Sequence, residues 1–273
     1  MSLLILIPAR GGSTRVPNKN LRQLCGKPLL GHVIEAAIGA DCGRVIVSTN
    51  SEEIAAAART FNAEVPFLRP GDLATATSSS LSTILHALTT LQASGDMLPE
   101  FLAFCPPTNP MIRPETIRGM FKVLRSKPAF NSVVTITRPR THPFRIIRQM
   151  ENGQIINGVI EIDGKTVNDI ERSQDWPVVW EGSPACRMTR IRYFGDLIDR
   201  TDNPLSLTGK TYDVANCLGY EIPPEEAFDI DEEMDLVTAE GLLSNGRHHA
   251  PNGLRSSLSA CGVLRGLSGS VTD

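Results

Sequence analysis

The chain has 273 residues, 41% of them apolar and 21% charged, room for one large domain or a domain carrying a sizeable insertion, with the make-up of an ordinary soluble globule. A net charge of −3 argues against a general nucleic-acid binder, because gripping a phosphate backbone needs a net basic face. The opening apolar run is too short for a signal peptide or a membrane span, and Cys25, Cys42, Cys105, Cys186, Cys217 and Cys261 form no C-x-x-C pair, so the expectation is a cytoplasmic protein with reduced thiols, without a membrane partner, disulfide frame or zinc site.

The first half alternates strand-like and helix-like stretches. "LLILIP" is a continuous apolar run, as expected of a strand buried on both faces. "LLGHVIEAAIGA" sets Leu29, Leu30, Val33, Ile34, Ala37 and Ile38 on one helical stripe. "RVIVST" reads as a second strand, and "SEEIAAAARTF" as a helix with Ser51 at its N-cap and acids in its first turn. "AEVPFL" reads as a third, short strand. "SSSLSTILHALTTLQA" follows as a helix with Leu81, Ile84, Leu85, Leu88 and Leu91 facing inward. "EFLAFC", "RPETIRGMFKVLRS" and "NSVVTITR" continue the rhythm as strand, helix and strand. Strand–helix alternation implies an α/β fold with a parallel sheet and right-handed crossovers.

The rhythm breaks after about Arg138. From about 138 to 213 the chain reads as a β-rich insertion of short runs, with Asn152-Gly153 and Asp163-Gly164 as hairpin turns. Trp176 and Trp180 are expected to pack within that insertion or at a dimer contact. "DEEMDLVTAEGLL" returns to a helix with Asp231 near its start. The expected domain runs over 1–244, and 245–273, rich in Gly, Ser, His and Asn, is expected to be a disordered tail.

Ligands of open parallel sheets sit beyond the carboxyl ends of the strands. "ARGGSTRVPNKN" falls there, after the first strand, together with "STNSEE" and "PPTNP". Gly11 and Gly12 let the backbone approach a ligand, and Arg10, Arg15 and Lys19 can neutralise oxygens of a triphosphate. The loop matches neither G-x-x-x-x-G-K-[ST] nor G-x-G-x-x-G. Its plainer reading is a basic surface turn. In "AFDIDEE" Asp229 and Asp231 are two apart, which on a strand puts both on one face, where a cation preferring oxygen ligands could be held. The plainer reading makes Asp231 a helix N-cap and Asp229 a surface acid.

"PARGGSTRVPNKNL" followed by "GKPLLGHVIEAA" resembles the start of the acylneuraminate cytidylyltransferases, the CMP-N-acetylneuraminic acid synthetases. The likeness continues through "VIVSTNSEEIAAAA", "VPFLRPGDLATATSSS", "PPTNP", "VVTITRPRTHPFR" and "AFDIDEEMDLVTAE", in the family's order. It implies a Rossmann-like three-layer sandwich with a mostly parallel sheet, a β-rich dimerisation insertion and a homodimer. It also implies transfer of CMP from CTP to the anomeric hydroxyl of a nine-carbon 2-keto sugar acid, with Mg²⁺ as cofactor and surface glycans as the destination. By matching position, Arg10, Gly11, Gly12, Ser13, Arg15, Lys19, Asn20, Arg69 and Ser80 would bind the nucleotide. Thr108, Asn109, Arg145 and Arg187 would meet the sugar, Asp229 and Asp231 the metal, and Arg10, Lys19 and Asp231 would serve catalysis.

Some positions depart from the family. Thr14 stands where a Lys is usual, so Arg15 would have to supply that charge; Ala76 stands for an Asp, and Pro106 for a sugar-contacting Gln. "SPACRMTRIRYF" replaces the commoner "NGAIY" segment. "STRxPxK" is closer to the related 3-deoxy-manno-octulosonate cytidylyltransferases, but their Gly-Asp-Glu-Pro segment is absent here. That enzyme, a non-catalytic nucleotide-binding relative and a glycosyltransferase of similar architecture are the competing readings.

Overall fold

A computed structural model of the protein describes residues 3–13, 15–198 and 210–244. Thr14 and the expected tail at 245–273 lie outside them. In chain order the elements are β1 (Leu3–Pro8), β2 (Gln23–Leu24), β3 (Lys27–Pro28), α1 (Leu29–Gly39), β4 (Gly43–Ser48), α2 (Glu52–Thr60), α3 (Ser80–Ala93), β5 (Phe101–Phe104), α4 (Pro114–Ser126) and β6 (Ser132–Thr137). There follow β7 (Arg148–Gln149), β8 (Ile155–Ile156), β9 (Glu181–Arg190), α5 (Ile191–Ile198), β10 (Cys217–Glu221) and α6 (Glu233–Ser244).

Six strands form one sheet in the order β10-β6-β9-β5-β1-β4. β1 pairs in parallel with β4 and β5, and β10 with β6, while β9 runs antiparallel between β5 and β6. The period-2 rule explains why "LLILIP" is apolar throughout. Leu3, Ile5 and Ile7 face a core built with Leu30, Val33, Ile34 and Ala37 of α1 and Ile117, Met120 and Leu124 of α4. Leu4 and Leu6 face the opposite core, built with Leu81, Ile84, Leu85, Leu88 and Leu91 of α3 and Phe194 of α5. Helices on both faces of a mostly parallel sheet give the expected Rossmann-like three-layer arrangement. Ser51 caps α2, its side chain accepting the Ile54 N–H, with Glu52 and Glu53 in the first turn. No helix among the described residues is long and apolar enough to cross a membrane.

A third, smaller core joins Val16, Leu24, Leu29, Met111, Ile230, Leu236 and Ala239. It packs the loop after β1 against the segment entering α6, although more than 200 residues of sequence separate Val16 and Ile230.

Two expectations need correcting. "AEVPFL" is no strand: it meets β4 and the residue after it through isolated bridges, Ile46 with Glu64 and Thr49 with Leu68, because Pro66 has no N–H to carry a continuous ladder. The stretch 138–213 is not all insertion. β9 lies inside the sheet, its regular alternation lost because Ser183, Ala185, Cys186, Met188 and Thr189 are all buried. The hairpins fall where the turn pairs put them. β7 pairs with β8 around Gly153, and Ile162 and Lys165 exchange both backbone hydrogen bonds across Asp163-Gly164, whose φ values of 52° and 74° suit a type I′ turn. Trp176 packs against His142 and Phe144 in this arm, and Trp180 lies under Arg138.

Glu226 pins the segment before α6 to the start of α4. Its carboxylate accepts from Thr116 Oγ1 at 2.6 Å and from the Arg113 N–H at 3.2 Å, and it is 2% exposed. Burial raises its pKa more than these bonds lower it. The folded state therefore holds the proton more tightly than the unfolded chain, and this group's contribution to stability is lost as pH rises through the raised value. Glu226→Gln is expected to lose less stability than the wild type between about pH 4 and pH 7. Urea denaturation at both pH values measures this; an equal loss in the two proteins would refute it.

Candidate nucleotide and acceptor site

The carboxyl ends of β1, β4 and β5 open onto a cavity of about 230 Å³ lined by residues that include Arg10, Ser13, Arg15, Lys19, Asn20 and Arg69. Ser78, Ser79, Ser80 and Thr83, around the start of α3, and Pro106, Pro107 and Thr108, after β5, complete it. Four cations line this cavity and, among the described residues, no carboxylate does.

The loop after β1 is held from three sides. Gly12 takes φ +73°, and the Arg10 guanidinium donates to its carbonyl at 3.1 Å. The Gly11 N–H donates to Asn50 Oδ1 at 2.8 Å, and a Cβ on Gly11 would sit 3.4 Å from that of Ser51, so the loop lies against the start of α2. Asn20 Nδ2 donates to the Arg10 carbonyl at 2.9 Å.

Lys19 is buried. Its ammonium donates to the Ile230 carbonyl at 2.7 Å and lies 3.3 Å from Asp231 Oδ1. Arg15, exposed, reaches Asp231 Oδ2 at 3.3 Å. The segment carrying Asp229 and Asp231 is not a strand, yet the alternation holds. Ile230 points into the third core, and Lys19 lies beside both flanking acids, paired with Asp231 and only partly offsetting the burial that raises the pKa of Asp229. Asp231 is therefore an ion-pair partner, and it is the Asp235 carboxylate that accepts the Asp231 and Glu232 N–H groups at the start of α6.

Arg69 is 5% exposed with no acid against it. It donates to Thr83 Oγ1 at 2.7 Å and to the Ser48 carbonyl at 3.2 Å, and its Nε has no partner. Burial, reinforced by Arg10, pushes its pKa down to about 10. A buried cation without a counter-charge is costly, and an anionic or polar ligand beside it offsets that cost. The start of α3, capped by Ser79 Oγ accepting the Ser82 N–H, adds the positive end of a helix dipole.

The Asp pair also fits a hard cation. Asp229 Oδ1 is buried without a hydrogen-bond partner, and burial raises its pKa, with Asp231 adding to the rise. The described residues contain no cluster of three or more His, Cys, Asp or Glu side chains that could cage a metal. Two carboxylates suit Mg²⁺, which keeps waters and takes phosphate oxygens.

A second cavity, about 330 Å³, shares Ser80 with the first. It is lined by Val134, Thr135, Gly182, Ser183, Pro184, Arg187, Lys210, Thr211 and Tyr212. Arg187 donates to Thr211 Oγ1 at 3.3 Å, and neither Arg187 nor Lys210 has an ion pair among the described residues.

The other sugar-site expectations separate. Thr108 lines the first cavity. Asn109 is fully buried, its Nδ2 donating to the Phe228 carbonyl at 3.0 Å, so it ties the β5–α4 loop to the segment before α6. Arg145 lies over Trp176 in the arm and lines neither cavity. Beside it, His142 has structural work: Nδ1 accepts the Phe144 N–H, so Nε2 donates to the Pro177 carbonyl at 2.9 Å. Asn50, Thr83, Thr135 and Lys210 were not expected. Asn50 stands in "STNSEE", already marked as a loop at the binding end; Thr135 carried no such signal.

A mostly parallel α/β sheet with a cationic cavity at its carboxyl ends has the layout in which open α/β sheets hold ligands, here with charge suited to an anion. The sequence profile of the family described as cytidylyltransferase matches residues 4–151, more than half of the chain, and the protein belongs to that family. It is 41% identical over 138 residues to the CMP-N,N'-diacetyllegionaminic acid synthase of Legionella pneumophila, covering 50% of this chain and 58% of that one. It is 30% identical over 236 residues to N-acylneuraminate cytidylyltransferase B of Danio rerio, covering 86% of this chain and 50% of the relative. The chain thus spans between half and three fifths of the length of these relatives. The solved structure of CMP:2-keto-3-deoxy-manno-octonic acid synthetase complexed with CTP superimposes with a TM-score of 0.61 at 17% identity, over 90% of this chain and 99% of that one, which shows a shared fold.

The Asn50 contact is open to direct test. Asn50→Ala is expected to speed hydrogen exchange of the Gly11 amide about tenfold while leaving the β1 amides protected. Unchanged exchange at Gly11 would mean that Asn50 does not hold the loop.

Proposed function

We propose that the protein is a CTP-dependent cytidylyltransferase that transfers CMP to the anomeric hydroxyl of a sialic-acid-like nine-carbon 2-keto sugar acid and releases pyrophosphate. The observation that carries this reading is the pair of adjoining cationic cavities with Ser80 in the wall between them. One suits a polyanion and a nucleoside, the other an acid. The nine-carbon class is supported by the names of the two relatives, one of them aligned over 86% of the chain.

In this reading Arg10, Arg15 and Lys19, with the Gly11-Gly12-Ser13 backbone, hold the triphosphate. Asn20 fixes the loop through the Arg10 carbonyl, and Arg69 and Ser80 take the cytidine end. Arg187 and Lys210 hold the acceptor carboxylate, with Thr108 on the side of the first cavity. The acceptor oxygen attacks the α-phosphorus and loses its proton. The bond from that phosphorus to the bridging oxygen breaks, and pyrophosphate leaves with the electron pair. In this reading the cations lining the first cavity would meet the phosphate oxygens on which negative charge grows. Mg²⁺ held by Asp229 and Asp231 would supply further charge neutralisation at phosphate oxygens.

The arm between β6 and β9 exposes Ile146, Ile147, Ile155, Ile156 and Val178, each at least 39% accessible. That apolar surface supports the homodimer reading.

The test is pyrophosphate release with CTP, Mg²⁺ and a panel of 2-keto sugar acids, each component omitted in turn. Release that requires CTP, the metal and a nine-carbon acid is the expected result. Release only with the eight-carbon octulosonate would assign the chain to that chemistry, and CTP binding without release with any acid would leave a binding protein.

Asp231 also competes for the cations that the triphosphate needs. In chelator, Asp231→Asn is expected to bind CTP about 3–10-fold more tightly than the wild type, since each ion pair is a modest one. With excess Mg²⁺ the order should reverse, as a carboxylate ligand is gone. Titration calorimetry in both conditions reads the sign; weaker binding in both would show that Asp231 does not occupy the phosphate site.

A further inference from the structure

We infer that Thr135 is a positioning residue for the acceptor side of the site: its hydroxyl closes the turn of β9 that sets Arg187 in the second cavity. This rests on the assignment of that cavity to the acid acceptor.

The ladder between β6 and β9 changes register here. Val134 lies opposite Arg187 and Ile136 opposite Gly182, so Thr135 alone faces the four residues 183–186. Such a bulge leaves backbone groups without ladder partners and re-aims the residues on either side. Thr135 is fully buried, and its Oγ1 takes the place of the missing ladder. It accepts the Cys186 N–H at 3.1 Å and lies 3.0 Å from both the Ser183 and the Cys186 carbonyl oxygens, to either of which it can donate. From inside the turn, Ser183 Oγ accepts the Ala185 N–H at 3.2 Å.

The turn is also the cavity wall. Thr135, Gly182, Ser183, Pro184 and Arg187 all line it. Arg187 is the first residue after the turn, and its guanidinium reaches across to Thr211. The mouth of this wall meets the first cavity at Ser80. Without the hydroxyl the Cys186 N–H would be buried and unpaired, which a chain relieves by shifting its backbone. A shift there moves Arg187 and leaves the loop after β1, on the far side of β5, in place.

Thr135→Val keeps the shape and removes the hydroxyl; Thr135→Ser keeps the hydroxyl. The measurement is steady-state pyrophosphate release with CTP and acceptor varied separately. Thr135→Val is expected to raise the acceptor KM about tenfold with the CTP KM within about twofold of wild type, and Thr135→Ser to restore the acceptor KM. A raised CTP KM of equal size, or no change in the acceptor KM, overturns the proposal. Arg187→Ala is the control on the underlying assignment. If it leaves the acceptor KM unchanged, the cavity is not the acceptor site; if it raises that KM while Thr135→Val does not, the assignment stands and the role of Thr135 falls. Should Thr135→Val fail to fold, Ser183→Ala, which loosens the same turn from within, is expected to raise the acceptor KM selectively, and an unchanged value there overturns the proposal.

Discussion

The buried ammonium of Lys19 is the contact on which the site's geometry depends. It ties the loop after β1 to the Ile230 carbonyl and to Asp231, residues that belong to the other end of the sequence. The small core containing Val16 and Ile230 brings the two segments together and shields the contact from water. Apolar packing and a charged bond thus act on the same two strips of chain. One supplies the driving force, of order 2 kcal/mol for each large side chain buried. The other supplies direction, because a hydrogen bond to a charged donor has a preferred geometry that packing lacks.

That arrangement gathers positive charge at some cost to the fold. Arg69 is buried without a carboxylate, with Arg10 close enough to weaken its hold on its proton. On the other side Asp229 keeps a buried oxygen without a partner, and its pKa rises. The cations of the cavity are only partly matched, Lys19 and Arg15 by Asp231 from outside its lining. Under the proposed function, phosphate oxygens would meet the unmatched cations and a divalent ion the unmatched acid.

Much of this was legible in the chain itself, for identifiable reasons. β1 and α3 declared themselves by apolar periodicity, and the basic loop by placing two glycines and three cations just beyond a buried strand. Asp229 and Asp231 were picked out by the family resemblance together with their spacing, although the strand assumed for them is an unpaired segment. β9 was hidden because both its faces are buried and a bulge interrupts it, which removes the period that reading depends on. Asn109 drew attention as a polar residue in a binding loop, yet its side chain holds a backbone carbonyl, a distinction only the fold can make. Thr135 gave no signal, since a threonine in a β strand is ordinary until the opposite strand is known.

The position of β9 also bears on how the chain folds. Within the sheet, β4, β1 and β5 form one parallel block and β6 with β10 another, and among the described residues β9 is the strand that pairs with both. Its partners Phe101 and Ser132 lie 89 and 57 positions before Arg190 and Thr189, so the seam closes over long loops. Loop-closure entropy makes such pairings late events. The pairings inside each block span as much chain, 98 positions from Leu3 to Phe101 and 85 from Ser132 to Cys217, so the whole sheet closes over long loops, and the wall of the second cavity forms only once β9 joins it.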